Sequence, residues 1–219
     1  MQMDGIKYDG IDYLKVSNNF LIPTAYLAPI GYYALLLKKN CKIENYEYFI
    51  KQSIRNRCEI YGANGKLRLT IPKKRKSSSK TSINQIRISN TENWKKTHWN
   101  SIKSCYNSSP FFQYYKDELK EVYDVKENFL INFNNKLQKV ILNFLKIKTT
   151  HTYSNRFEKK GDFFDLRDYK FNINNMKEYN QVFMEKHGFI DNLSIIDLLF
   201  NLGPESKDYL TSLNNKVIK

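Results

Sequence analysis

Cysteine, histidine, glycine and proline are all scarce in this sequence, and each shortage removes a class of explanation. Three cysteines occur, Cys41, Cys58 and Cys105. Their number is odd and no C-x-x-C spacing is present, so neither a disulfide framework nor a structural zinc site is expected. Reduced thiols of a cytoplasmic protein fit that pattern. The three histidines, His98, His151 and His187, stand at no metal-ligand spacing. With eight glycines the chain contains neither G-x-x-x-x-G-K-[ST] nor G-x-G-x-x-G, so the usual nucleotide-binding loops are missing, and no cofactor is indicated. Long apolar runs are missing too. The stretch Leu27 to Leu37 is interrupted by Gly31 and closed by Lys38-Lys39, too short to cross a bilayer. Asp4, Asp9 and Asp12 break the basic-then-apolar order of a signal peptide. The expected location is the cytoplasm, with contact at an acidic inner membrane face left open.

Acidic residues are the other minority. Asp and Glu number 22 against 36 Lys and Arg, a formal net charge of +14. Such a field attracts phosphates, nucleic acid and acidic lipid. Lys, Asn and Ile are abundant along the whole chain, and an A+T-rich genome produces the same excess without any function attached.

What is present is enough for a folded domain. The 219 residues are 41% hydrophobic and 15% aromatic, sufficient for one core and too aromatic for general disorder. Residues 1–18 read as a polar N-terminal extension and residues 19–219 as a single α/β domain. Its N-terminal half carries a mixed sheet. Asn19 to Leu27, an apolar run that holds a proline, reads as a buried strand ending in a turn. Ile30 to Lys39 reads as a helix, with Pro29 before its first turn and the two lysines at its C-terminus. Cys41 to Ile43 is a short strand. Phe49 to Tyr61 alternates with a period of two, which predicts a strand with one polar face. Ala63-Asn64-Gly65-Lys66 predicts a type I′ hairpin turn, followed by a strand at Leu67 to Ile71. Another strand is expected over Ile83 to Ile88. The C-terminal half is mainly helical: Asn93 to Tyr106, a helix carrying the stripe Phe129, Phe133, Leu137, Val140, Ile141, Phe144, and Met176 to Lys186 ended by Gly188. A last helix opens at Ser194 with Asp197 as a capping pair and stops at Gly203-Pro204.

Three short runs, in order, carry a resemblance. Leu21-Ile22-Pro23-Thr24-Ala25-Tyr26-Leu27-Ala28-Pro29-Ile30-Gly31-Tyr32-Tyr33 is followed by Gln52-Ser53-Ile54-Arg55-Asn56-Arg57. Asn93-Trp94-Lys95-Lys96-Thr97-His98 comes next, with Tyr106 and Ser109-Pro110-Phe111-Phe112 beyond. Together they resemble the motifs of the WbqC-like family, over about residues 20–125, with an ending like the family's shorter Bacteroidetes-type members. The resemblance implies a link to O-antigen and other surface-polysaccharide assembly, and for some members a transferase role with glycine. Many members open with His-Gln-Pro, where this chain has Leu21-Ile22-Pro23 and no histidine in residues 1–97.

The same motifs supply the candidate site, and each has a plainer reading beside it. Tyr26, Gly31 and Tyr32 belong to a strand, turn and helix start that could cradle phosphate or carboxylate; alternatively Gly31 only packs the helix on the sheet. Gln52 opens the second motif. On a strand, Arg55 and Arg57 would share one face about 7 Å apart, able to grip a pyrophosphate or carboxylate, with Asn56 facing inward. The competing reading pairs them with acids such as Glu44, Glu47 or Glu59. Asn93 and Trp94 precede His98, and Trp94 and His98 stand one helical turn apart. His98 is the candidate general acid–base and Trp94 a stacking wall, against a core tryptophan beside a hydrogen-bonded histidine. Lys73 to Lys80 forms a basic loop that could steer phosphates or touch lipid, or simply be solvated.

The first expectation is therefore a transferase acting on a nucleotide-linked sugar or polysaccharide precursor, with a phosphorylated or carboxylate-bearing small molecule as partner. A non-catalytic binding or assembly protein of an envelope pathway is the second. A nucleic-acid binder, resting only on charge, is the third.

Overall fold

The computed structural model of the protein describes residues 19–37, 40–75, 80–148, 151–159, 161, 163–173 and 176–213. The expected extension at residues 1–18, Lys38-Lys39, and residues 76–79 of the basic loop lie outside the described residues.

Among the described residues the strands form two sheets, built mainly from the N-terminal half. The first is parallel, in the order β5 (Thr152–Tyr153), β2 (Cys41–Glu44), β1 (Phe20–Pro23), β6 (Phe164–Asp165). At its centre lies β1 (Phe20–Pro23), an apolar run buried on both faces, as a central parallel strand requires. It pairs with β2 (Cys41–Glu44) in the register Phe20↔Cys41 to Pro23↔Glu44. Helix α1 (Ile30–Leu36) makes the crossover between them. All seven of its residues are buried, which fits a helix with no charged side chain.

The second sheet is the hairpin of β3 (Arg57–Gly62) and β4 (Gly65–Thr70). The hairpin lies where expected, but its loop is Ala63-Asn64 instead of Asn64-Gly65, and the turn type is not I′. Gly65, at φ +93°, holds the left-handed position instead of Asn64, which is the geometry of a turn followed by a glycine bulge.

Three helices then stack together: α2 (Trp94–Tyr106), α3 (Phe112–Asp124) and α4 (Leu130–Phe144). The α4 stripe packs inward, with Phe133, Leu137 and Ile141 buried. Two further strands close the edges of the parallel sheet. β5 (Thr152–Tyr153) pairs with β2, and β6 (Phe164–Asp165) with β1, where Phe164 meets Phe20 edge-on. The chain ends with α5 (Met184–His187), α6 (Ile195–Leu202) and α7 (Ser206–Ser212). Among the described residues no helix is long and apolar enough to cross a membrane.

Four expectations need correction. The strand expected from Phe49 starts only at Arg57; residues 51–56 turn, and Gln52 adopts φ +58°. Ile83–Gln85 is a 3₁₀ turn instead of a strand, because burying Ile83 and Ile86 together requires a spacing of three. Residues 176–183 form no helix. They run across α6, so that Tyr179 and Gln181 reach the wholly buried Asp197, which also accepts a bond from Tyr106. Ser194 precedes α6 but caps nothing there: its hydroxyl donates to the Leu27 carbonyl, and Asp197 serves the tyrosine cluster.

Candidate functional site

Ligands of open parallel sheets commonly sit at the carboxyl ends of the strands. Here that edge is filled by ion pairs. Arg55 is 2% exposed, and its Nε and Nη2 both donate to the Glu47 carboxylate, the first at 2.8 Å. Nη2 also donates to the Arg167 carbonyl at 3.0 Å. Arg167 pairs with Asp165 at 2.7 Å and Glu44 at 3.6 Å. Burial pushes the Glu47 carboxyl up, and the Arg55 guanidinium pulls against that. Arg55 thus stands in a closed network with no open donor facing solvent. Its neighbour Asn56 is also buried, its amide donating to the Ile71 carbonyl.

The Trp94 and His98 turn lies in the core of α2. His98 is 5% exposed. Tyr123 and Tyr26 hydroxyls are 2.6 Å apart, and Tyr26 lies 2.8 Å from His98 Nδ1. The Thr70 backbone also bonds the ring. A chain running Tyr123 to Tyr26 to Nδ1 satisfies both hydroxyls and suits a neutral imidazole. Burial lowers the His98 pKa to about 4, against the Thr70 bond. Trp94 packs edge-on to both His98 and Phe133, so it walls the core. Asn93 is exposed at the start of α2, where its carbonyl accepts from Thr97.

Gly31 and Tyr32 anchor α1. A Cβ on Gly31 would lie 2.1 Å from the Phe171 carbonyl oxygen, so only glycine lets the two backbones meet. Gly31 N–H donates to Asn192 Oδ1 at 2.9 Å, and Asn192 Nδ2 donates to Phe171 O at 2.9 Å. Tyr32 is buried, donating to the Pro23 carbonyl and stacking edge-on to Phe171.

What remains open is a cleft of about 550 Å³ beside this junction. Its walls come from the turn at Gln52, from Arg57, Lys66 and Arg68 on the hairpin, and from Lys170 and Asn192. Four cations line it, against Glu59 and Asp191. Glu59 is taken up by Arg68 at 2.8 Å and Lys66 at 3.8 Å. Among the described residues no ion pair engages Arg57, and its buried Nε has no hydrogen-bond partner. A buried guanidinium N–H without an acceptor is costly unless a ligand supplies one. A larger cavity of about 820 Å³ beside Tyr179 and Tyr209 carries Glu178, Glu205 and Asp208 against Lys177, a field that repels phosphate.

The motif residues therefore divide. Gln52 and Arg57 line the cleft, and Gly31 braces its wall through Asn192. Tyr26, Trp94 and His98 gather in the core, and Arg55 in the ion network. Sequence reasoning missed Lys66, Arg68, Lys170 and Asn192. Arg68 was legible in principle, as the cross-strand partner of Glu59 once the hairpin register is set; Lys170 and Asn192 sit in irregular segments with no periodic signal.

Comparison with known proteins gives two findings. The sequence profile described as the WbqC-like protein family matches residues 24–165 and 160–209. The chain is also similar to the uncharacterized protein Rv1507c of Mycobacterium tuberculosis (strain ATCC 25618 / H37Rv), 25% identical over 196 residues, covering 74% of this chain and 83% of that protein. No solved structure matches it.

Proposed function

The chain belongs to the WbqC-like protein family, and we propose that it binds the phosphate or carboxylate of a nucleotide-linked sugar or surface-polysaccharide precursor in the Arg57 cleft and acts on it as a transferase. One observation carries the binding step: a half-buried arginine with an orphaned Nε, inside a cleft with more cations than acids. A phosphate or carboxylate seated there accepts a charge-assisted bond and removes the cost of the unpaired donor. Lys170, exposed and in no ion pair among the described residues, adds positive charge to the lining. The surface-polysaccharide assignment rests on the family, and the anionic part of the ligand rests on the cleft.

A second reading, binding without turnover, is favoured by a separate observation. Among the described residues no histidine lines the cleft, and burial pushes the thiol of Cys58 well above its usual range. A transfer there would rely on the substrate's own nucleophile.

Titration calorimetry against nucleotide sugars and acyl donors tests both. Arg57→Ala is expected to weaken the bound ligand about 10- to 100-fold, the range for a hydrogen bond to a charged group, and Arg57→Lys to recover part of it. Unchanged affinity in Arg57→Ala ends the proposal. Tight binding with no product in the presence of acceptor favours the second reading.

A further inference from the structure

Nine large apolar side chains are exposed among the described residues; Leu67, Tyr114 and Val125 are scattered over the hairpin and the α3 region, and the other six gather at one edge. Tyr46, Tyr48, Ile50, Tyr153, Phe157 and Tyr169 are all exposed, Tyr48 by 60%. All six lie at or just beyond the carboxyl ends of β2, β5 and β6. Parallel strands put those ends on one side of the molecule, and hydrogen bonds join the loops there. Asn45 N–H donates to Ser154 Oγ at 2.8 Å, Glu158 N–H to Glu44 at 2.8 Å, and Arg55 to the Arg167 carbonyl at 3.0 Å.

Charge is sorted on the same edge. Glu44, Glu47 and Glu158 are buried in the ion network. The exposed charges on these loops are Lys51, Arg156, Lys159 and Lys170 against Asp168. Lys73 lies 5.7 Å from the Phe49 ring, which brings exposed Lys74 and Arg75 alongside. The stretch carrying Tyr48 and Ile50 is tied to Thr81 and Ile83, since Phe49 N–H donates to the Thr81 carbonyl at 2.9 Å and Ile83 N–H to the Glu47 carbonyl at 2.8 Å.

We propose that this edge docks on an anionic phospholipid bilayer. Tyrosines are suited to the headgroup level, where ring and hydroxyl each find a matching medium, and the lysines around them add attraction to anionic lipid. A lipid surface fits better than single-stranded nucleic acid. Tyr46, Tyr48 and Ile50 alternate outward along one stretch while Glu47 between them points in, and an isoleucine has no face on which a base can stack. The proposal stands apart from the Arg57 reading, although Gln52 and Lys170 place the cleft mouth at the border of this surface.

Co-sedimentation with vesicles tests it, using phosphatidylcholine alone and phosphatidylcholine mixed with phosphatidylglycerol. Binding is expected only to the mixed vesicles and is expected to fall with salt. Lys73→Gln with Lys74→Gln should lower the partition about 30-fold, from the attraction each cation near an anionic surface contributes. Tyr48→Ser with Ile50→Ser should also lower it, with thermal unfolding unchanged because both side chains are exposed. Arg57→Ala should leave vesicle binding intact, which separates this test from that of the cleft. Absence of binding, equal binding to phosphatidylcholine alone, or indifference to both double variants overturns the proposal. So does binding of poly-uridylate, lost in the same variants, without binding of vesicles.

Discussion

Arg55→Met is the substitution that most sharply separates a ligand-binding arginine from a structural one. In the structure this side chain is 2% exposed and spends its Nε and Nη2 on Glu47, with Nη2 reaching the Arg167 carbonyl as well. Methionine fills a similar volume but leaves the Glu47 carboxylate buried without its partner. Breaking a buried pair from one side costs ~3–5 kcal/mol. At roughly 2–4 °C per kcal/mol for a domain of this size, the melting temperature should fall by about 6–20 °C. Glu47→Gln removes the stranded charge, so the double variant Arg55→Met, Glu47→Gln should be more stable than Arg55→Met alone. The double-mutant cycle then reports a coupling energy well outside the ~0.5 kcal/mol of independent sites. Urea unfolding followed by circular dichroism measures all four proteins. Suppose Arg55→Met unfolds within about 1 kcal/mol of wild type, the size of an ordinary substitution, yet loses ligand affinity. The ion pair would then not be what Arg55 is for, and the division of the two arginines between scaffold and cleft would be wrong.

Two other substitutions test the packing around the cleft and the core. Gly31→Ala places a Cβ 2.1 Å from the Phe171 carbonyl oxygen, a backbone atom that cannot swing away. It is expected to destabilise by ~1–3 kcal/mol or more, and a thermal melt equal to wild type would show that the α1 junction is looser than the structure indicates. His98, with its pKa lowered to about 4 by burial, binds its proton more readily in the unfolded chain. Its contribution is therefore fully present above the unfolded value near 6.5 and is lost as pH falls toward 4. Between about pH 7.5 and pH 5 wild type should lose about 2 kcal/mol that His98→Gln does not lose. Identical stability profiles for the two proteins over that range would refute a buried neutral imidazole.

The parts of this fold that are legible in the sequence are those where one apolar pattern decides one element. Phe20–Pro23 is buried on both faces, so it reads as an unbroken apolar run. Phe133, Leu137 and Ile141 recur at helical spacing because α4 buries a single stripe. The hairpin announces itself through Asn64-Gly65, although the left-handed residue turns out to be the glycine alone. Where two demands compete, the pattern misleads. Ile86 and Ile88 alternate as a strand's residues would, with Ile83 on the opposite face, yet the backbone around Ser82 is already committed to the loop at Tyr48 and Phe49. Met176 to Phe183 has helical composition, but three buried donors for Asp197 must come from somewhere, and an extended path supplies two of them. Strands β5 and β6, of two residues each, are too short to show any period.

The candidate site was legible only by residue type, and residue type does not report burial. Arg55 and Arg57 are identical side chains two positions apart, and alternation on a strand would have given them one face. The strand begins at Arg57, so Arg55 belongs to a turn that feeds its guanidinium into the sheet edge. Trp94 and His98 do share a helix face, as their spacing requires, but that face is the one α2 turns toward Tyr26, Tyr123 and Phe133. Substituting Arg55, Trp94 or His98 removes a buried partner, so any loss of function it causes is confounded with loss of fold. Arg57 escapes that confusion. It is half-buried, no acid among the described residues holds it, and its Nε faces no protein acceptor. Its removal takes away an unsatisfied donor instead of stranding one, so Arg57→Ala should leave stability unchanged or slightly raised. A large drop in stability on that substitution would mean that its donor already has a protein acceptor in solution, and the cleft would lose its claim to an anion.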